Sequence, residues 1–165
     1  MDHNFKVKQI GSIRADEEGF RIELLPEYKE ALIGLGGFSY VNVLWWFDHC
    51  DNETDRAVLS EAKPYKHGPG RMGTFATRSP QRPNPIALSC AYATFIDAEN
   101  GIIGLAYTDA ADQSPVLDIK PYTPSLDRVE EPQVPEWCSH WPKNVEGSGD
   151  FDWDSEFNFR SEEHT

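Results

Sequence analysis

Apolar and polar residues alternate along several short segments of the chain, and this alternation predicts β-strands. The first two segments, residues 5–13 and 20–25, flank a turn at residues 16–19 and predict a hairpin. Residues 38–48 are aromatic and β-branched, which predicts a long central strand. Further strands are predicted over residues 73–77, 86–97, 102–108 and 115–120.

A short helix is predicted over residues 26–35, between the second and third strands. Pro26 lies near its first helical position, Glu27 lies in its positively polarised first turn, and glycines at 34, 36 and 37 end it. About six to eight strands at this spacing, with one or two short helices, predict a mainly β fold. A barrel or a sandwich is favoured over an α/β sheet.

Composition narrows the possible functions. The chain has 165 residues, enough for one domain with a core, and a net charge of −13, which repels nucleic acid and anionic membranes. Its three cysteines, Cys50, Cys90 and Cys138, lack CxxC spacing, so neither a disulfide framework nor a zinc site is expected. The first residues lack the apolar core of a signal peptide, and no apolar run nears the length of about 20 residues that a membrane span needs. We therefore expect a soluble cytoplasmic protein that binds neither a membrane nor a metal.

Positive charge is concentrated in residues 62–96, the basic segment. It contains no acid and five basic residues: Lys63, Lys66, Arg71, Arg78 and Arg82. Within it, prolines at 80, 83 and 85 fix φ and remove backbone donors, which predicts a stiffened loop. A stiff loop loses less entropy when it binds a ligand. Because this loop also carries Arg78, Arg82 and Asn84, whose side chains can bind carboxylate or phosphate groups, we predict an anion or nucleotide site here. The alternative is a chance cluster on a solvated face.

A second polar row lies in SPVLDIKPYTP, residues 114–124. Asp118, Lys120 and Tyr122 alternate along a predicted strand and therefore point to one face. Asp118 is a candidate to accept a proton or hydrogen bond from an amine, Lys120 to bind an anion, and Tyr122 to stack on a base. The alternatives are an exposed face with a surface ion pair worth under about 1 kcal/mol, or a structural pair between Asp118 and Arg78.

Histidines offer weaker candidates. His49, Cys50 and Asp51 are adjacent, so their side chains diverge, which argues against a metal site. His67 lies in a polar stretch, residues 50–72, that predicts an exposed loop, and it is a minor catalytic candidate.

The C-terminal segment, residues 143–165, differs in composition from the rest. It carries seven acids against two bases, and its Phe and Trp residues alternate with polar ones. We expect residues 1–142 to form the folded domain and residues 143–165 an acidic aromatic tail. Three states of the tail stay open: disorder, pairing as an edge strand, and docking on the basic segment of its own or a neighbouring chain.

The two motifs together resemble one known family. ATRSPQRPNPIALS at residues 76–89, followed by SPVLDIKPYTP, is similar to the TsaA-like/TrmO family of S-adenosylmethionine-dependent methyltransferases, and the resemblance covers residues 5–142. It implies an antiparallel β-barrel with one or two short helices, S-adenosyl-L-methionine as cofactor, and a homodimer with the cofactor near the subunit interface. It also implies methylation of the exocyclic amine of threonylcarbamoyladenosine in tRNA. No G-x-G-x-x-G follows a predicted strand, which agrees with a fold other than the Rossmann type.

The resemblance also implies site residues. Asp118, Lys120 and Tyr122 become the catalytic candidates. The cofactor-binding candidates lie along the first motif: Phe75, Ala76, Thr77, Arg78, Ser79, Arg82, Pro83, Asn84, Pro85, Ile86 and Leu88. Within this set, Arg78 or Arg82 is expected to meet the cofactor carboxylate and Asn84 its polar edges, while Ile86 and Leu88 flank the adenine.

Of four departures from the family pattern, two substitutions bear on the detail of the pocket and two larger differences bear on the tRNA substrate. Ala87 and Gln113 stand where the family has glycine, the C-terminal domain of longer members is absent, and the net charge is strongly negative. The charge disfavours tRNA as a partner, although the motifs favour it. The alternatives are a methyltransferase of this fold acting on a small molecule, and a non-catalytic S-adenosylmethionine-binding regulatory module.

Overall fold

The computed structural model describes residues 2–158 of the chain. Within them the strands are β1 (Gly11–Asp16), β2 (Gly19–Leu24), β3 (Tyr40–Trp46), β4 (Ser60–Ala62), β5 (Arg71–Gly73), β6 (Ile86–Asp97), β7 (Ile102–Leu105) and β8 (Ser114–Pro121). The α-helices are short: α1 (Glu53–Arg56), α2 (Pro124–Asp127) and α3 (Val145–Ser148). Further 3-10 helices span Pro26–Leu32, Asp48–Cys50, Thr74–Ala76, Glu136–Cys138 and Trp153–Ser155.

Six strands close into an antiparallel barrel, in the order β1-β2-β7-β6-β3-β8. This barrel belongs to a compact unit formed by residues 2–48 and 86–127. Each strand turns alternate side chains inward, and the core residues include Ile13, Ile22, Val43, Ala91, Ile103 and Val116. Each barrel strand pairs with two neighbouring strands, so the closed barrel has no terminal edge strand. The predicted mainly β fold with an antiparallel barrel is confirmed.

The N-terminal half shows where pairing overrides local pattern. The predicted hairpin is present, with Asp16 paired to Gly19, and Gly19 supplies the positive φ of 106° that the turn needs. The first strand, however, begins at Gly11, so the strand predicted over residues 5–13 is wrong for residues 5–10. Phe5 and Val7 are 88% and 63% exposed, and alternation without a burying partner does not make a strand. The predicted helix is a 3-10 helix, Pro26–Leu32, that buries Leu32.

A second compact unit comprises residues 49–85 and 128–158. Strands β4 and β5 pair there as a two-stranded sheet, and Tyr65 forms an isolated antiparallel bridge with Phe157. The strand predicted over residues 73–77 is wrong, because Thr74–Ala76 is a 3-10 turn after β5.

The acidic segment is folded as far as the structure describes it. The backbone N–H of Lys66 donates to the carbonyl of Glu156 (2.8 Å), and the N–H of Asn158 donates to the carbonyl of Pro64 (3.0 Å). The side-chain amide of Asn158 adds a bond to the carbonyl of Lys63 (2.7 Å). Of the three states left open for the tail, residues up to 158 therefore show docking on the basic segment of their own chain. Whether residue 142 is a domain boundary stays a prediction.

An aromatic cluster accompanies this docking. The ring of Tyr65 lies 5.1 Å from that of Trp137, 5.4 Å from Trp141 and 5.4 Å from Phe157, measured between centroids. Glu156 is buried beside it and accepts hydrogen bonds from the indole N–H of Trp141 (2.8 Å) and from His140 Nε2 (2.6 Å). Tyr65 thus connects the basic segment to the C-terminal segment.

In residues 2–158 we find no helix with both the length and the apolar character needed to cross a bilayer.

Candidate functional site

The proline-rich loop between β5 and β6 is held by its own hydroxyl groups. Buried Thr74 donates from Oγ1 to the carbonyl of Val58 (3.0 Å), and buried Thr77 donates from Oγ1 to the carbonyl of Thr74 (2.9 Å). Farther along, Thr77 Oγ1 accepts from the N–H of Ser79 (3.3 Å), and Ser79 Oγ accepts from the N–H of Gln81 (3.2 Å). Such side-chain turns supply the hydrogen bonds that a proline-rich backbone lacks. These hydrogen bonds agree with the stiffened loop that the prolines predict.

Arg82 closes this loop on itself. Its Nη1 donates to the carbonyls of Thr77 (3.1 Å) and Ser79 (3.0 Å). One end of the guanidinium is therefore used to hold the loop, a role that the sequence did not predict. Arg78, by contrast, is exposed.

Helix α1, which belongs to the same compact unit as this loop, holds the loop through hydrogen bonds made by two of its residues. Arg56 donates from Nε to the carbonyl of Pro83 (2.7 Å), from Nη2 to Asn84 Oδ1 (3.0 Å), and from Nη1 to Asp51 (3.0 Å). One residue earlier, Asp55 Oδ1 accepts from Gln81 Nε2 (2.9 Å). Sequence reasoning missed these residues, because a polar stretch such as 50–72 carries no signal that separates a bracing arginine from a solvated one.

The outer side of the loop presents groups suited to a ligand. Phe75 is 83% exposed, which leaves its ring free to stack on a planar group, and Ala76, Arg78 and Asn84 are exposed as well. Thr77 and Pro85 are buried, so these two candidates shape the loop rather than reach out from it.

The remaining candidates lie on the barrel. Ile86 and Leu88 point outward from β6 and are 41% and 49% exposed. Leu88 pairs with Leu44 of β3, which pairs on its other side with Asp118 of β8. Paired residues share a face, so Leu88 and Asp118 lie at the same level of the outer surface, two strands or about 10 Å apart. The barrel therefore places the C-terminal end of the first motif and the middle of the second motif on one face, with a single strand between them.

Asp118 and Lys120 form an ion pair of 3.1 Å, and their side chains are 51% and 64% exposed. Asp118 Oδ1 also accepts the N–H of Ile119 (2.9 Å). The ion pair is the surface contact considered as an alternative, and its exposure keeps both groups accessible to a ligand. Tyr122 follows β8, with its ring 6.3 Å from that of Tyr40.

A cavity of about 340 Å³ opens beside Asp118 in the barrel unit. Its walls come mainly from the 3-10 helix Pro26–Leu32, the turn after it and β8, and they include Leu24, Leu35, Phe38 and Pro121. Among the described residues that line it, Asp118 is the sole charged side chain. This cavity has room for a small apolar group next to a carboxylate.

Local contacts shift several pKa values in the second unit. Hydrogen bonds from Asn52 and Gln81 lower the pKa of Asp55, so this brace stays ionised at neutral pH. Burial, with smaller effects from Asp55, raises the pKa of the Cys50 thiol, and burial raises the pKa of Tyr65. Cys50 is thus a poor nucleophile. Across residues 2–158, no three His, Cys, Asp or Glu side chains are grouped so that they could hold a metal ion.

Comparison with known proteins identifies the family. The model of the tRNA-methyltransferase O N-terminal domain matches residues 7–128. The chain belongs to this family. The match ends at residue 128, where the second stretch of the second compact unit, residues 128–158, begins. The aromatic cluster around Tyr65 therefore includes residues outside the matched family domain.

Individual relatives agree with this assignment. A protein of Pyrococcus horikoshii, named as a probable S-adenosyl-L-methionine-binding protein, is 35% identical over 130 residues, which are 77% of this chain and 89% of the relative. A longer Archaeoglobus fulgidus protein with the same designation is 33% identical over 75% of this chain and 36% of its own length. A crystal structure of TrmO from Pseudomonas aeruginosa superposes with a TM-score of 0.60 at 30% identity, over 79% of this chain and 62% of that one. The chain therefore spans less than two thirds of two of these three proteins.

Proposed function

We propose that this chain is an S-adenosyl-L-methionine-dependent methyltransferase. Its family is described as a tRNA methyltransferase domain, and two relatives carry the cofactor in their names. The observation that carries the proposal is the loop of residues 74–85, whose hydroxyl, Arg82 and Arg56 contacts fix it before any ligand arrives. A fixed loop avoids the ordering cost of binding, which is what a cofactor site requires.

The exposed residues of the loop fit such a cofactor by chemistry. The ring of Phe75 offers a face to a nucleoside base, and Arg78 is an exposed residue of the type that binds a carboxylate. The Asn84 amide offers hydrogen bonds to polar edges, and Ile86 and Leu88 offer apolar surface. The cofactor, when bound, supplies an electrophilic methyl group on a sulfonium.

On the acceptor side, the chain's own groups orient an amine. Asp118 would accept a hydrogen bond from the amine N–H. It would take up, or pass to water, the proton that the amine loses when the methyl carbon leaves the sulfonium sulfur and bonds to the nitrogen, which leaves a neutral thioether as the other product. Lys120 neutralises an anionic group of the acceptor, and Tyr122 stacks on its base. Asp118→Asn is therefore expected to lower kcat by about 10²–10⁴-fold while the cofactor dissociation constant changes little.

For the acceptor we favour the exocyclic amine of threonylcarbamoyladenosine in tRNA. The description of the family supports tRNA as the substrate, and the choice of threonylcarbamoyladenosine rests on the resemblance of the two motifs. The test is methyl transfer from labelled S-adenosyl-L-methionine to tRNA that carries the threonylcarbamoyl group, with tRNA that lacks it as the control. Equal incorporation into both, or into neither while the protein binds cofactor, would refute this acceptor.

One observation favours a small-molecule acceptor instead. The segment that docks on residues 63–66 is acidic, and the whole chain carries a charge of −13, which opposes binding of a polyanion. This alternative predicts cofactor binding without retention of tRNA in a gel shift at low salt, where electrostatic attraction is strongest. A regulatory module would bind the cofactor and transfer no methyl group to either class of acceptor.

We also propose a homodimer. The outer face of β6 exposes Ile86 (41%), Leu88 (49%) and Tyr92 (46%), an apolar row that is unusual for a solvated strand. Sedimentation of the wild type and of Tyr92→Asp tests this: a dimer that becomes a monomer in the variant supports the proposal, and a wild-type monomer refutes it.

A further inference from the structure

Arg56 contacts the loop in a way that sets the direction of one side-chain amide. Its Nε and Nη2 lie on one edge of the guanidinium and bind two acceptors on consecutive residues, the carbonyl of Pro83 (2.7 Å) and Oδ1 of Asn84 (3.0 Å). A guanidinium carries donors alone, so the amide atom that it contacts has to be the oxygen. The group that Asn84 has left for a ligand is its Nδ2 donor pair.

From this contact we propose that Arg56 is a positioning residue, which holds the Asn84 amide so that the site donates a hydrogen bond to an acceptor atom of the ligand. The inference rests on the proposed cofactor site. In S-adenosyl-L-methionine, an acceptor of this kind is a carboxylate oxygen of the methionine part, or a ribose oxygen or adenine ring nitrogen of the adenosine part. Without Arg56 the amide is free to rotate and to offer either its oxygen or its nitrogen.

Arg56 can perform this role because its own helix is fixed. Asn52 caps α1 by accepting from the N–H of Asp55 (2.8 Å), and its amide donates to Asp55 Oδ2 (2.8 Å). Asp55 Oδ1 in turn accepts from Gln81 on the loop (2.9 Å). The loop is thus tied to α1 at Gln81 and again at Pro83 and Asn84, two and three residues further along the chain. Two ties on one short helix hold the loop against rotation as well as translation.

The arrangement also distinguishes arginine from lysine. An ammonium is a point charge on a flexible stem and cannot bind the two acceptors along one planar edge while a third donor holds Asp51. Arg56→Lys should therefore fail to restore what Arg56→Ala loses. Asn84→Asp is the complementary change, because a carboxylate still accepts from Arg56 and no longer donates to a ligand.

The brace is tested first without a ligand. Hydrogen exchange is followed at the amides of Gln81, Arg82 and Asn84 in the wild type, Arg56→Ala, Arg56→Lys and Asn84→Asp. The control is Arg128→Ala, which removes an exposed arginine that pairs with Glu130 in the same unit. We expect faster exchange in both Arg56 variants and unchanged exchange in Asn84→Asp and the control. Unchanged exchange in Arg56→Ala would overturn the proposal, whether or not the protein binds the cofactor.

Calorimetry then tests the orientation of the amide. We expect S-adenosyl-L-methionine to bind about tenfold more weakly to Arg56→Ala, Arg56→Lys and Asn84→Asp, and with wild-type affinity to the control. The reason is that a variant has to order the amide on binding or presents the wrong group to the ligand. The free-energy cost of ordering one side chain corresponds to about a tenfold loss of affinity. Normal affinity in Asn84→Asp would refute the donor role. Titration with 5′-methylthioadenosine, which lacks the carboxylate, separates the two parts of the cofactor: a loss confined to S-adenosyl-L-methionine identifies the carboxylate, and a loss with both ligands identifies the adenosine.

A wild type that does not bind S-adenosyl-L-methionine would refute the proposed function, while the exchange measurements would still decide whether Arg56 holds the loop. Intrinsic tryptophan fluorescence of each variant, which reports on Trp137 and Trp141, checks that the second unit is folded.

Discussion

Replacing Tyr65 by alanine should release the C-terminal segment from the basic segment. The ring of Tyr65 contacts those of Trp137, Trp141 and Phe157 within 5.1 to 5.4 Å, and its backbone forms the bridge to Phe157. An aromatic pair contributes about 0.5–1.5 kcal/mol beyond the area that it buries. Full removal of a core aromatic ring costs about 3–5 kcal/mol, and Tyr65 is only part-buried.

We therefore expect Tyr65→Ala to lower the free energy of unfolding by about 2–4 kcal/mol. The measurement is urea denaturation followed by tryptophan fluorescence, which is sensitive here because Trp137 and Trp141 border the ring that is removed. Limited proteolysis within residues 143–158 should become faster in the variant. Tyr65→Phe is the matched control: it keeps all three ring contacts and should lose under about 1 kcal/mol. Equal stability of the two variants would refute the idea that these ring contacts hold the segment.

Two further predictions concern single side chains. Hydrogen bonds from Trp141 and, to a smaller extent, from His140 lower the pKa of Glu156 below its ordinary value of 4.5. The ionised carboxylate therefore contributes fully to folding stability above about pH 4.5, and this stabilisation is lost as the pH falls through the lowered pKa. Proteolysis of residues 143–158 should therefore accelerate in acid, and Glu156→Gln should remove this pH dependence; a variant as pH-sensitive as the wild type would contradict it. Gln113 has a φ of 72°, a conformation that favours glycine, so Gln113→Gly should raise stability by about 0.5–1 kcal/mol in thermal unfolding, and Gln113→Ala should not.

The barrel could be predicted from the sequence because its signal is repeated in every strand. Inward positions such as Ile22, Val43 and Ile103 alternate with outward ones, so each strand has one apolar face. A barrel of paired strands buries all of these apolar faces in its interior. The prediction failed where one local pattern fits two structures. Residues 5–9 alternate outside any strand, and Thr74–Ala76 forms a turn in which Thr74 and Thr77 bond to nearby carbonyls.

The candidate site could be predicted only in part. Prolines and charged residues in one segment indicated a rigid polar loop, and its hydroxyl bonds agree with that expectation. The brace from Arg56 depends on a tertiary contact across 27 residues of sequence, and nothing in the composition of residues 50–72 marks it. Docking of the tail was one of three open states, since the composition of an acidic aromatic segment fits disorder as well as packing.

The second unit is assembled from two stretches that are distant in the sequence, residues 49–85 and 128–158. During synthesis the ribosome adds residues 86–127 between them, which takes roughly 2 to 8 seconds at about 5–20 residues per second. Throughout that interval the phenol ring of Tyr65 lacks its three aromatic neighbours, because Trp137, Trp141 and Phe157 have not yet been synthesised. The nascent polypeptide should therefore be most vulnerable to chaperone capture or cleavage around residue 65, and this vulnerability should end once translation has passed residue 158.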